Sequence, residues 1–194
     1  MRFIITLSHI KQKTLITLKV RSMPKLIAVV GGKHSGKTTT IEHLIAELSR
    51  QGYRVGTIKE MVFIQTLDTP HKETDRYRQA GAKIVVAVPR DETVIFVTKK
   101  LTVKEILPHM TELDYVILEG FESELWLPKI VVAKTAEEVR GYFDGSVVAI
   151  SGIIADSPIE LMRLDKRNTP VINCLEEKRE LVEIVKAKAL DQPD

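Results

Sequence analysis

The stretch "KLIAVVGGKHSGKTTTIEHL", residues 25–44, decides the fold. "KLIAVV" is a short apolar run stopped by two glycines, and reads as a strand buried on both faces. From Thr38 to Arg50, apolar residues at Ile41, Leu44, Ile45 and Leu48 keep helical spacing until "QGY" ends the helix at Gly52. Between strand and helix, Gly31, Gly36, Lys37 and Thr38 satisfy the pattern G-x-x-x-x-G-K-[ST]. Glycine is needed where backbone N–H groups curl inward around a phosphate, because side chains would block the approach. The same loop delivers the phosphate to a helix N-terminus, where unpaired N–H groups and the macrodipole favour negative charge.

These residues predict a nucleoside-triphosphate site with bound Mg²⁺. Lys37 reaches the β- and γ-phosphates, Thr38 offers its hydroxyl to the metal, and Thr39 helps hold the α-phosphate region. Gly31, Gly32 and Ser35 supply loop backbone, whereas Lys33 and His34 are either phosphate contacts or exposed side chains. A carboxylate is expected from a strand end, to hold the metal or orient water. "DYVILEG", residues 114–120, offers Asp114 and Glu119. Ligands gather at the carboxyl ends of parallel strands, so Glu119 is the candidate and Asp114 belongs at the opposite edge.

Outward from the loop, the chain alternates short strands with helices. Strands are expected at 54–59, 83–88, 93–98, 114–120, 128–133, 146–154 and 169–173. A loop is expected over 60–72, a short helix after Lys72, a helix over 102–113 bent near Pro108, and a final helix over 175–189. The pattern predicts an α/β fold of the P-loop NTPase kind, with a doubly wound, mostly parallel sheet covered by helices on both faces. "VVAVPRDETVIFV" breaks the alternation and predicts an antiparallel hairpin. For the base, "AISG" at 149–152 is expected to line a pocket through backbone groups, and Lys134 either stacks on the base or is an ordinary exposed lysine.

The chain has 194 residues, 44% hydrophobic and 28% charged, which suits one globular domain over 23–194. Its single cysteine excludes an internal disulfide and a cysteine metal cluster, and fits a reducing, cytoplasmic setting. Of the 29 basic residues, five fall within 1–22, which has no acid; that leaves 24 against 26 acidic residues. The main body is therefore not a basic nucleic-acid binder. Residues 1–22 form a basic extension whose apolar stretches are too short to span a membrane, and the chemistry is expected not to need it.

Two further segments carry a family resemblance. "DTPHKETDRYRQAGA", residues 68–82, is similar to the D-x-P-G-K-[DE]-[ST]-x-x-x-R-x-A-G-A segment of the MobB family, and "VILEGF" with "PKI" at 128–130 to its L-V-E-G-F…P-K-I. Together with the phosphate loop and "GYRVGTIK" at 52–59, the resemblance spans roughly 26–133. It implies a GTP-binding protein with weak, Mg²⁺-dependent GTPase activity, usually a homodimer. Such a protein assists the guanylyltransferase that attaches GMP to molybdopterin. It implies phosphate and Mg²⁺ contacts from Gly36, Lys37, Thr38 and Thr39, and an acid near the metal at Glu119. Asp68, Lys72 and Arg78 would then belong to a segment beside the γ-phosphate. The chain departs from the family where Glu60, Phe63 and Ile64 replace two histidines and an aspartate, where His71 replaces a glycine, and where Glu122 replaces a lysine. The apolar "MVFI" at 61–64 is then available to pack against a partner or second subunit. Two other readings stay open: a small-molecule kinase recruiting Arg76 and Arg78 as a lid, and an unrelated cofactor-loading NTPase.

Overall fold

A computed structural model describes residues 23–62 and 66–191. The basic extension, Phe63 and Ile64 lie outside the described residues. Five parallel strands form the central sheet: β1 (Lys25–Val30), β2 (Val55–Lys59), β5 (Tyr115–Glu119), β6 (Lys129–Val132) and β7 (Val147–Ser151), in the order β2-β5-β1-β6-β7. β1 is central, and five of its six residues are buried. That is the reason an unbroken apolar run, without polar alternation, forms it.

Helices cover both faces. On one, α1 (Lys37–Arg50) and α6 (Lys178–Lys188) pack Ile41, Leu44, Leu48, Leu181 and Val185 against Ile27, Val29, Ile117 and Ile130. Each fully buried aliphatic side chain contributes about 1.5–3 kcal/mol. On the other face, α3 (Val103–Ile106) and α4 (Ala136–Arg140) lie over Leu26, Ala28, Val116 and Val131, and α5 (Pro158–Arg163) packs outside them against α4. The helix expected over 102–113 is α3 followed by a 3₁₀ turn, Leu107–Met110, with Pro108 at the break. The neighbours α4 and α5 were not expected from the sequence. Both are short and capped, with the Thr135 hydroxyl accepting from the Glu138 N–H and that of Ser157 from the Glu160 N–H.

The predicted hairpin is β3 (Ile84–Ala87) and β4 (Val94–Val97), antiparallel, forming a two-stranded sheet of its own. Arg78 of α2 (Glu73–Gln79) lies 5.6 Å over the Phe96 ring on one face. On the hairpin, Ile84, Val86 and Ile95 are left exposed.

The strand expected over 169–173 is a correction: Val171 makes a single parallel bridge to Ile150. Pro170 has no N–H to donate, and the Ser151 hydroxyl takes the Ile172 carbonyl at 2.7 Å, so the ladder stops there. The final helix also starts three residues late. Asn173 accepts from the Leu175 N–H through its side chain and from the Glu176 and Glu177 N–H groups through its carbonyl, which makes a turn there. Among the described residues, no helix is long and apolar enough to cross a membrane.

Candidate functional site

The loop between β1 and α1 is shaped by backbone packing. A Cβ on Gly31 (φ 146°) would sit 2.0 Å from the Val132 carbonyl oxygen, and one on Gly152 (φ 94°) 2.6 Å from that of Ser35. Neither position admits a larger residue without moving main chain. Ser35 is fully buried and donates its hydroxyl to the Gly32 carbonyl at 3.0 Å. Lys37 folds back into the loop, donating from Nζ to the Gly31 and Gly32 carbonyls at 2.9 and 2.7 Å. Gly36, in left-handed conformation, is the N-cap of α1 and offers no capping side chain. The first-turn N–H groups of a helix lack intrahelical acceptors, so this end is built to receive an external one.

The loop opens on a cavity of about 490 Å³. His34, Ser35, Gly36, Lys37, Thr38, Thr39 and Glu119 line one part of it, so seven of the predicted site residues meet there. Gly31 and Gly32 form the floor beneath Lys37, and Lys33 is exposed beside them. Glu119 reaches the cavity because it ends β5, opposite Val29 of β1 and Lys59 of β2. Its carboxylate is ion-paired with Lys59 at 2.9 Å. Asp114 sits at the other edge of the sheet, as expected, accepting from the Arg54 N–H at 2.7 Å.

The loop's ammonium, two threonine hydroxyls, histidine and helix N-terminus, together with the Glu119 carboxylate, fit a polyphosphate and a divalent cation. Among the described residues no group of three or more His, Cys, Asp or Glu could hold a metal. The cation would thus take most of its ligands from phosphate and water, as Mg²⁺ does at triphosphate sites.

Asp68, Lys72 and Arg78 are not brought to this cavity. Asp68 is buried and accepts from Thr74 Oγ1 at 2.8 Å and from Arg78 Nε at 3.1 Å. Arg78 also pairs with Asp75 at 3.0 Å and lines a second cavity of about 750 Å³ with Lys59 and Phe121. Lys72 is the exposed N-cap residue of α2. The His71 N–H, at a positive φ of 66°, donates to Asp75 Oδ2, and this bond to the Asp75 carboxylate holds its pKa below the usual range. Glu60, one of the departures from the family pattern, has a structural partner: its carboxylate accepts from the Phe121 N–H at 3.1 Å. It thereby steadies a turn in which Gly120 and Phe121 both have positive φ. Lys134 pairs with Glu138 at 3.3 Å, outside the cavity lining.

The rest of the cavity comes from Gly152, Ile153, Asp156, Asn173, Cys174 and Leu175. Only Gly152 was expected there. The strand-end rule that pointed to Glu119 also covers the residues just after β7 and after the Ile150–Val171 bridge.

Comparison with known proteins identifies the family. Residues 26–154 match the model of MobB, described as molybdopterin guanine dinucleotide synthesis protein B. The chain belongs to the MobB family. A putative molybdopterin-guanine dinucleotide biosynthesis adapter protein of Methanocaldococcus jannaschii is 36% identical over 117 residues, covering 57% of this chain and 47% of the relative. A probable adapter protein of the same biosynthesis from Bacillus subtilis is 30% identical over 136 residues, covering 68% and 77%. The chain thus spans about half the length of the first relative and about three quarters of the second. The crystal structure of Bacillus subtilis MobB superposes with a TM-score of 0.67 at 20% identity, covering 87% of this chain and 99% of that one. A MobB homologue from Bacillus stearothermophilus gives 0.60 at 24% identity, covering 84% and 98%. These structures share the MobB architecture with this chain, a parallel sheet between helices.

Proposed function

We propose that this chain is a cytoplasmic GTP-binding adaptor of molybdopterin-guanine dinucleotide biosynthesis, with slow Mg²⁺-dependent GTPase activity. It works beside a molybdopterin guanylyltransferase and its molybdopterin. The observation that carries this reading is one cavity shared by Lys37, Thr38 and Glu119 at the N-terminus of α1. Lys37 would exchange its two loop carbonyls for phosphate oxygens, and Thr38 and Glu119 would hold Mg²⁺, which neutralises charge on the phosphates. Slow turnover suits the lining, which among the described residues includes no arginine and whose Glu119 carboxylate is already paired with Lys59. Of the two arginines that an acceptor kinase would recruit, Arg78 is committed to Asp68 and Asp75, which leaves only Arg76 for a lid. Support for a homodimer comes from the hairpin, where Ile84, Val86 and Ile95 leave apolar surface that a second copy would bury.

Calorimetric titration with GTP and Mg²⁺ tests the reading. Lys37→Ala is expected to lose at least about 100-fold in affinity with an unchanged circular dichroism spectrum, since a charge-assisted contact to phosphate is removed without touching the core. Glu119→Gln is expected to lower Mg²⁺-dependent turnover by more than it lowers affinity. Undiminished binding by Lys37→Ala would remove the phosphate-loop assignment. Equal losses of turnover and affinity in Glu119→Gln would remove the metal role.

A further inference from the structure

The phosphate loop accounts for part of the cavity lining, and the rest has different chemistry. Ile153 and Leu175 are 51% and 56% exposed, yet both line this cavity. Between the segments that carry them, Asn173 donates from Nδ2 to Asp156 Oδ1 at 2.6 Å. Asn173 is itself fixed, with its side-chain oxygen accepting from the Leu175 N–H at 2.9 Å and its own N–H bonded to Glu177 Oε2 at 3.0 Å. That pattern also settles which end of the amide is the donor. The result is an oriented carboxylate that lines the same cavity as two aliphatic side chains and the phosphate loop.

A carboxylate only accepts hydrogen bonds, and it has about four lone-pair sites, of which Asn173 uses one. Guanine presents adjacent N1–H and N2–H donors on its pairing edge, which a carboxylate can take as a pair. Adenine presents a bare N1 there, and a carboxylate facing it leaves both acceptors unpaired. Asp156 is exposed in the empty site, so the mismatch discriminates only once a base covers it and its oxygens lose water without gaining a partner.

We propose that Asp156, positioned by Asn173, reads the guanine base, with Ile153 and Leu175 covering the purine faces. This assignment rests on the nucleotide reading of the same site and specifies its base. The test is calorimetry of the full chain with the Mg²⁺ complexes of GTP, XTP and ATP, comparing wild type with Asp156→Asn. Wild type is expected to prefer GTP over both others by at least about tenfold. Asp156→Asn is expected to lose at least about tenfold for GTP and to gain for XTP, whose C2 oxygen accepts from the new amide, with ATP unchanged. Asn173→Ala, which frees the carboxylate without removing it, is expected to give a smaller GTP loss and no XTP gain. Thermal melts of both variants check the fold. If wild type prefers GTP and Asp156→Asn weakens all three equally or none, the base assignment is overturned while the nucleotide site stands. Wild type preferring ATP has the same consequence. Failure to bind any triphosphate overturns the nucleotide reading itself, and this assignment with it.

Discussion

The loop at 31–39 and the segment at 68–80 are both dense in polar groups, yet they satisfy them in opposite ways. In 68–80 the covered charges are consumed internally: Arg78 bridges Asp68 and Asp75, Thr74 bonds Asp68, and Gln79 bonds Asp75. In 31–39 the internal bonds only shape the loop, and the helix end, Thr38 and Thr39 still face a cavity. A polar cluster that pairs with itself is scaffold, whereas one that keeps donors toward a void is a site. Four substitutions, one of them read in a pH series, press on that contrast.

The largest effect is expected from paired glycine substitutions. Gly31→Ala drives a Cβ into the Val132 carbonyl, and should abolish measurable GTP binding and lower the melting temperature. Gly81→Ala, at a φ of 110° after α2, meets no atom within 4 Å and should cost only about 1–2 kcal/mol from its left-handed backbone. GTP affinity should stay within about twofold of wild type in that variant, since its backbone cost does not reach the cavity. Comparable binding losses in the two would erase the distinction.

Arg78→Ala comes next. Removing it takes the charged hydrogen-bond partner from the buried Asp68 carboxylate, a loss of about 2 kcal/mol in chemical denaturation. Amide exchange over 68–80 should quicken while GTP affinity changes little. A collapse in affinity instead would mean that this segment does reach the phosphates.

The smallest effect is a pH dependence. Asp75 has its pKa lowered from 3.8, first by the His71 N–H and further by Gln79 and Arg78. A depressed carboxylate adds stability above its unfolded pKa and loses it as pH falls toward the folded value. The urea midpoint of wild type should therefore decline below about pH 4 more steeply than that of Asp75→Asn. Parallel curves would show that this carboxylate adds nothing.

What could be read from the sequence follows the distance over which each feature is decided. β1, β5 and β6 were legible because strands buried on both faces write themselves as unbroken apolar runs. The loop was legible because its glycines, Lys37 and Thr38 lie within eight consecutive residues. The rest of the cavity lining was not, because Asp156 and Asn173 lie 17 positions apart and meet only once β7 and the Val171 bridge have formed. The helices α4 and α5 escaped because five or six residues are too few for periodicity, although Thr135 and Ser157 each precede a glutamate by three. His71 is a different case. A glycine-like backbone is kept with a histidine in place, and the Asp75 bond to its N–H offsets the strain.

The backbone contacts under Gly31 and Gly152 have a consequence for how the site opens. The loop leans on the Val132 carbonyl, and the turn after β7 leans on the loop at Ser35. Neither can unfold alone without uncovering the centre of the sheet. Loop and sheet are therefore one cooperative unit, and a ligand bound in the loop adds its binding free energy to the stability of the whole domain.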